Sequence, residues 1–428
     1  MIRFADNSIT FLDLFAGAGG LSEGFIRAGF SPIAHVEINK AACYTLRTRL
    51  AYHWLNKQDR LKEYNSYLYK EITREELYDL IPKQIISSVI NEEICEETLD
   101  SIFAEVDVML GDKPLDLIVG GPPCQAYSVV GRARDKNKMQ NDKRNYLYVY
   151  YAKFLERYQP EYFVFENVTG LLSAKSPEGI SYLESMRNVF RDVGYETEYR
   201  TLSTDDYGVL QSRKRVIIVG RRGSETGYFP ELEKWDPNVT VSEVLKDLPL
   251  IMAGEGSEGP CNMSEYNGQY LYSASIRNDQ VPVTYHIARP HSDQDKKIYR
   301  IAVDKWNKKK KRLQYYDLPP ELQTHKNKTA FTDRFKIVAD DLRSAQTIVA
   351  HIAKDGHYYI HPDISQNRSL TPREAARIQT FPDDYYFESV SGVPGRTPAF
   401  YQIGNAVPVL LAENIASKLR TQFAAKPY

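Results

Sequence analysis

Three apolar, β-prone stretches in this chain each stop abruptly at residues that turn the backbone, and that punctuation limits the fold more than any other feature. Ile9–Phe15 runs into Ala-Gly-Ala-Gly-Gly, Leu115–Val119 into Gly-Gly-Pro-Pro-Cys, and Tyr162–Phe165 into Glu166-Asn167. Between them lie segments with helical spacing: Leu21, Phe25 and Ala28 share one face, and Tyr146–Arg157 and Glu178–Val193 read the same way. Ser31–Val36 reads as a short strand ending at Glu37, and Arg215–Val219 as another buried one. Lys57–Gln84 reads as a charged, Tyr-rich helical insertion. Strands alternating with helices as far as residue 222 predict an α/β fold with a doubly wound, mostly parallel sheet.

Beyond residue 222 the alternation fails, because Pro, Gly, Tyr and Lys interrupt every period. With 428 residues the chain is long for a single core, so two lobes are expected. The first covers 1–222 and the second, smaller and irregular, covers 223–399. Helical spacing returns at Ala406–Leu419 after the turn signal Ile-Gly-Asn, and 400–428 is expected to fold back and complete the first lobe.

Composition removes several functional classes. No apolar run approaches the roughly 20 residues of a membrane span, and the opening MIRFADNSITFLDLF lacks the parts of a signal peptide, so a cytoplasmic protein is expected. Cys43, Cys95, Cys124 and Cys261 are scattered with no CxxC, which argues against a metal site or a disulfide framework. The net charge of −1 hides a basic region at 286–336, containing IYRIAVDKWNKKKKRLQYY, while acidic residues gather earlier in NEEICEETLD. The Lys308–Arg312 run reads equally as a phosphate-binding patch or as a solvated helix face.

The residues capable of chemistry lie where the strands end. Glycines after the first strand allow a sharp turn and a close ligand, and Glu37 at the end of the next could accept bonds from a ribose diol. An ordinary strand–helix turn fits the glycines as well, and the absence of GxGxxG leans against a nicotinamide cofactor. Cys124 stands in a proline-framed loop at a strand's carboxyl end, where open α/β sheets bind ligands. Glu166 ends another strand, and Arg213 and Arg215 precede a third. A parallel sheet brings such ends to one edge, and a thiol, a carboxyl and a guanidinium together suit attack on an electron-poor ring.

With these residues in place, the sequence resembles the DNA (cytosine-5) methyltransferase family. DLFAGAGG, GGPPCQAYS, FENVTGLL, QSRKR, RSLTPREAARIQTFP and YQIGNAVP stand in the family's order from about residue 10 to 415, and DKRNYL after the cysteine loop is also similar. The resemblance implies an S-adenosylmethionine-dependent, Rossmann-like methyltransferase with a target-recognition lobe. It implies Cys124 as nucleophile, Glu166 at the cytosine N3 and amino edge, and Arg215 with Arg213 on the O2 side and the active-site loop. It implies Phe15, Ala18, Gly19, Glu37, Ile38, Pro123, Leu147, Asn405 and Val407 around S-adenosylmethionine, and no metal. Arg368 and the helix Pro372–Gln379 would brace the second lobe, and Thr371 before Pro372 reads independently as an N-cap. The Asp that usually meets the adenine is missing, and Asn91 and Glu93 are both candidates for its place.

Cytosine C5 is a poor nucleophile until a thiolate adds at C6, and C6 is reached only after the base leaves the stack. Duplex DNA is therefore the expected partner of a monomeric enzyme, with a restriction endonuclease as its expected functional counterpart. A tRNA cytosine-5 methyltransferase would share every catalytic motif, but the long 223–399 lobe exceeds what gripping a small RNA requires. A catalytically silent DNA-binding regulator would be expected to lose Cys124 or Glu166.

Overall fold

The computed structural model describes residues 8–123, 146–176, 178–329 and 331–424. Seven strands form one sheet: β1 (Thr10–Leu14), β2 (Ser31–Val36), β3 (Val89–Ile90), β4 (Leu117–Gly120), β5 (Tyr162–Val168), β6 (Tyr195–Ser203) and β7 (Lys214–Arg222), in the order β3-β2-β1-β4-β5-β7-β6. Pairs β1–β2, β1–β4, β2–β3 and β4–β5 are parallel, whereas β7 is antiparallel to both β5 and β6.

The helices of the first 222 residues are α1 (Gly20–Arg27), α2 (Lys40–Lys57), α3 (Leu61–Leu68), α4 (Arg74–Asp79), α5 (Lys83–Ser87), α6 (Leu99–Leu110), α7 (Leu147–Tyr158) and α8 (Tyr182–Asp192). Further along come α9 (Asp293–Lys309), α10 (Pro372–Ile378), α11 (Arg396–Asn405) and α12 (Val409–Ala424). Successive strand residues face opposite layers. Phe11, Leu117, Val119, Val164 and Ile217 pack with α1 and α12. Leu12, Ile118, Phe163, Phe165 and Ile218 pack with α6, α7 and α8. Strands covered on both faces require near-continuous apolar runs, which is why β1, β4 and β5 were readable.

A third core joins α2, α3 and α4 to the irregular segments of 223–399 and to α10 and α11. Regular structure is sparse between 223 and 399, and three fully buried arginines help to hold that stretch. Arg368 grips Glu374 through two bonds of 2.7 and 2.8 Å. Arg373 donates to the carbonyls of Thr284, Pro382 and Tyr385. Arg377 bridges Asp247 and Asp383. Thr371 caps α10 reciprocally with Glu374, as the sequence predicts.

Some local expectations change. Ile403-Gly404-Asn405 is not a turn but the last turn of α11; the chain breaks at Ala406–Pro408, where the proline cannot continue a helix. The Lys57–Gln84 insertion is helical, as expected, and is made of the short helices α3, α4 and the start of α5. The basic run begins in the last turn of α9 and stops the helix at Lys310, whose φ is 51°. Lys308 pairs with Asp304 and Lys310 with Asp341, so part of its charge is neutralised within the chain. Among the described residues no helix is long and apolar enough to cross a membrane.

Candidate active site

The carboxyl ends of β1, β2, β4 and β5 line one edge of the sheet. At β1, Phe15 has a positive φ of 57° and leads into the glycine turn that opens α1. Gly20 has no alternative here, because a Cβ would lie 2.4 Å from the Val407 carbonyl oxygen. That contact brings the segment between α11 and α12 against the turn and sets Ala406 and Val407 beside Gly20.

Glu37, just past β2, is almost wholly buried. Its two oxygens accept the Gly17 and Asn39 amides, each at 2.7 Å. Burial raises its pKa, outweighing the opposing pull of the bonds from Asn39, Gly17 and Ile38. Ile38 is 59 % exposed, an unusual position for a large apolar side chain next to a buried carboxylate. The Asn91 amide, one residue past β3, donates at 3.0 Å to the Glu37 and Ile38 carbonyls. Glu93 is exposed. Of the two candidates at the missing Asp, it is Asn91 that joins the Glu37–Ile38 wall.

These residues fit an adenosyl group. The two Glu37 oxygens have about four acceptor sites between them, so the amides of Gly17, Asn39 and Ile38 leave capacity for a hydroxyl. Among the described residues, apart from its two chain neighbours, none has a heavy atom within 4 Å of where a Cβ on Gly17 would stand. Ile38 offers an apolar surface, and the Asn91 side-chain oxygen is a further acceptor.

On the other side of the same edge, Glu166 in β5 meets Arg215 in β7, with Oε1 and Nε 2.6 Å apart and both side chains largely buried. The register explains the contact, since Arg215 lies opposite Val168, which faces the same side as Glu166. Gly121 permits it, because a Cβ there would be 2.7 Å from Glu166 Oε2. Pro123 follows two residues later. Cys124 and the DKRNYL segment as far as Asn145 lie outside the described residues. Leu147 is described, as the first residue of α7.

Arg213 does not share this site. It is buried and donates to the Ile348 and Gly404 carbonyls at 2.5 and 3.3 Å. Gln211, also buried, accepts from the Ile348 amide and donates to Gln379. Two other residues of the QSRKR motif, Gln211 and Arg213, therefore fasten the sheet to the segments at Ile348 and Gln379. Side chains alternate along an extended chain, so residues 213 and 215 sharing one charge type gave no sign of their different surroundings.

The match to known proteins covers this whole arrangement. The family model for C-5 cytosine-specific DNA methylases matches residues 9–81 and 83–421. The chain belongs to that family. Its activity is thus DNA cytosine-5 methylation, and family membership implies S-adenosylmethionine as the methyl donor. The Type II methyltransferase M.Bpa9945I of Bacillus paralicheniformis is 39% identical, over 96% of this chain and 98% of its own length. M.DdeI of Desulfomicrobium norvegicum, also a Type II methyltransferase, is 29% identical over 96% of this chain and 88% of its own. Among solved structures, a prophage-encoded candidate DNA modification methyltransferase (E. coli) superposes with a TM-score of 0.61 at 23% identity, covering 97% of this chain and all of that one. At that identity the likeness speaks for the methylase fold.

Proposed function

We propose that this DNA methylase flips a cytosine from duplex DNA and uses Cys124 as the nucleophile at C6, acting at one short sequence as the modification half of a restriction–modification system. The observation that carries the chemistry is the Glu166–Arg215 pair seated on Gly121, three residues before Cys124. The Type II relatives support the biological setting.

Glu37 would hold the ribose of S-adenosylmethionine, Ile38 and Asn91 its adenine, and the turn from Phe15 to Gly19, with Pro123, Leu147, Asn405 and Val407, the rest of the pocket. When bound, the cofactor supplies an electrophilic methyl group. Addition of the Cys124 thiolate at C6 breaks the ring's conjugation and leaves electron density on C5, the atom that is methylated. Glu166, bonded to N3 and the amino group, stabilises the charge that develops on the ring. Arg215 fixes that carboxyl and faces the O2 side. Loss of the C5 proton then expels the thiolate and restores the aromatic base. Arg213 acts as a brace between the lobes, and residues 223–399 form the target-recognition lobe that offsets the cost of flipping, a few kcal/mol.

A duplex with 5-fluorocytosine at the target tests this route, since fluorine at C5 blocks the final elimination. With S-adenosylmethionine present, a denaturation-resistant protein–DNA adduct is expected, attached through the peptide bearing Cys124. Attachment through another residue, or no adduct where ordinary DNA is methylated, would falsify the mechanism.

A further inference from the structure

The turn after α10, Phe381–Glu388, belongs to the second lobe by sequence, yet its side chains reach into the base of the first. Tyr385 is 1% exposed, and its hydroxyl donates to the Ala18 carbonyl at 2.5 Å. The ring is clamped between Phe381 and Phe387, at centroid distances of 4.8 and 5.3 Å, with the Arg49 guanidinium over it at 4.8 Å. Arg49 is itself fixed by Glu23 of α1 and by Asp384. Asp384 also accepts from Tyr52 and Asn278, and its carbonyl accepts the Tyr64 hydroxyl. The Tyr385 hydroxyl also lies against Gly19, 2.8 Å from where a Cβ would stand. A rigid, buried donor from one lobe therefore fixes a peptide plane in the glycine turn of the other.

We infer that Tyr385 is a positioning residue for S-adenosylmethionine. By holding the Ala18 carbonyl it sets the orientation of the Ala18–Gly19 peptide, next to the Gly17 amide that orients Glu37. The inference rests on reading this turn and Glu37 as the cofactor cradle. A buried carbonyl that loses its donor seeks another, and the turn relaxes away from the shape that fits the ligand. The second lobe thus tunes cofactor affinity without touching the cofactor.

The test is calorimetric titration of the full chain with S-adenosylmethionine and with S-adenosylhomocysteine, alongside methylation kinetics. Tyr385→Phe is expected to weaken both ligands about tenfold, the effect of one lost buried hydrogen bond. KM for the methyl donor should rise in parallel while kcat stays within about twofold. Hydrogen exchange in the peptide covering residues 15–20 should quicken. Tyr64→Phe removes a comparable hydroxyl from the adjacent Asp384 carbonyl; it should lower Tm by a similar amount and leave both affinities unchanged. Parental affinity in Tyr385→Phe, or equal weakening in Tyr64→Phe, overturns the positioning role. Parental affinity in Glu37→Ala overturns instead the cradle reading beneath it.

Discussion

Val119 in β4 and Arg373 in α10 are both fully buried, and they stand for two ways of burying backbone. β4 and β5 are each flanked by a strand on both sides, so the ladders satisfy most of their backbone and side chains on both faces can be apolar. Between 223 and 399 there is little ladder, and arginines take over part of that work. Arg373 serves three carbonyls, Arg289 those of Ile352, Ala353 and Lys354, and Arg368 those of Ile251 and Ser369. A guanidinium suits the task, with five donors in a rigid fork. A buried charge that loses its partner is costly, however, so this lobe should break in ways the sheet does not.

That contrast can be attacked by mutation. The largest effect is expected at the sheet edge: Cys124→Ser should cut methyl transfer by about a thousandfold or more, because a hydroxyl is scarcely ionised near pH 7. DNA binding and Tm should stay close to the parent, as gel shift and thermal melting would show. The converse substitution is Asp247→Ala, which strips a partner from Arg377 and from Arg277. It should cost about 3–5 kcal/mol in urea unfolding while leaving the activity of molecules that remain folded near parental. An unchanged midpoint would show that the arginine network is not what stabilises the second lobe.

A pH titration sharpens the same comparison. Burial pushes His286 and His291 down to about 4, as it does His35 in β2. A histidine harder to protonate folded than unfolded contributes stability above its unfolded pKa of about 6.5, and that contribution is lost as pH falls toward 4. Burial alone would raise the Glu374 pKa, but Arg368 and His361 together hold it well below the usual carboxylate range. Its contribution is therefore lost only below about pH 4.5. The unfolding free energy from urea titration should fall between pH 7 and 4.5 by about 1–3 kcal/mol. Amides near 284–291 should lose exchange protection before those of β4 and β5; the reverse order would contradict the contrast.

The smallest effect is expected on the surface. Neutralising Lys309 and Lys311 should weaken DNA binding less than about tenfold and flatten its salt dependence slightly, without changing the methylated sequence. If the salt slope stays as in the parent, the run is a solvated end of α9.

What the sequence made legible follows from the same physics. β1, β4 and β5 announce themselves because burial on both faces leaves only apolar residues. β6 does not, since Tyr-Glu-Thr-Glu-Tyr-Arg-Thr is an edge strand with several residues in water. The α10 cap was readable from Thr371-Pro372 because capping is local. The partners of Arg377 were not, as Asp247 is 130 residues away and an isolated arginine looks like surface. Glu166 and Arg215 could be paired from their places at strand ends. The different fate of Arg213 depends on a lobe whose path no periodicity reveals.

The reversed direction of β7 has one more consequence. Had it run parallel to β5, its first residues would begin at the opposite end of the sheet, about 30 Å from the edge where β5 delivers Glu166, by the rise of nine extended residues. Because it runs backward, the connection from β6 forms a hairpin tip at the catalytic edge, and residues 211 to 215 occupy a crossroads. Gln211 and Arg213 bond to Gln379 and Ile348, and Arg215 turns to the carboxyl of Glu166. One strand's polarity thus places the joint between the lobes and the clamp on the acid four residues apart, and a one-residue insertion there would uncouple them.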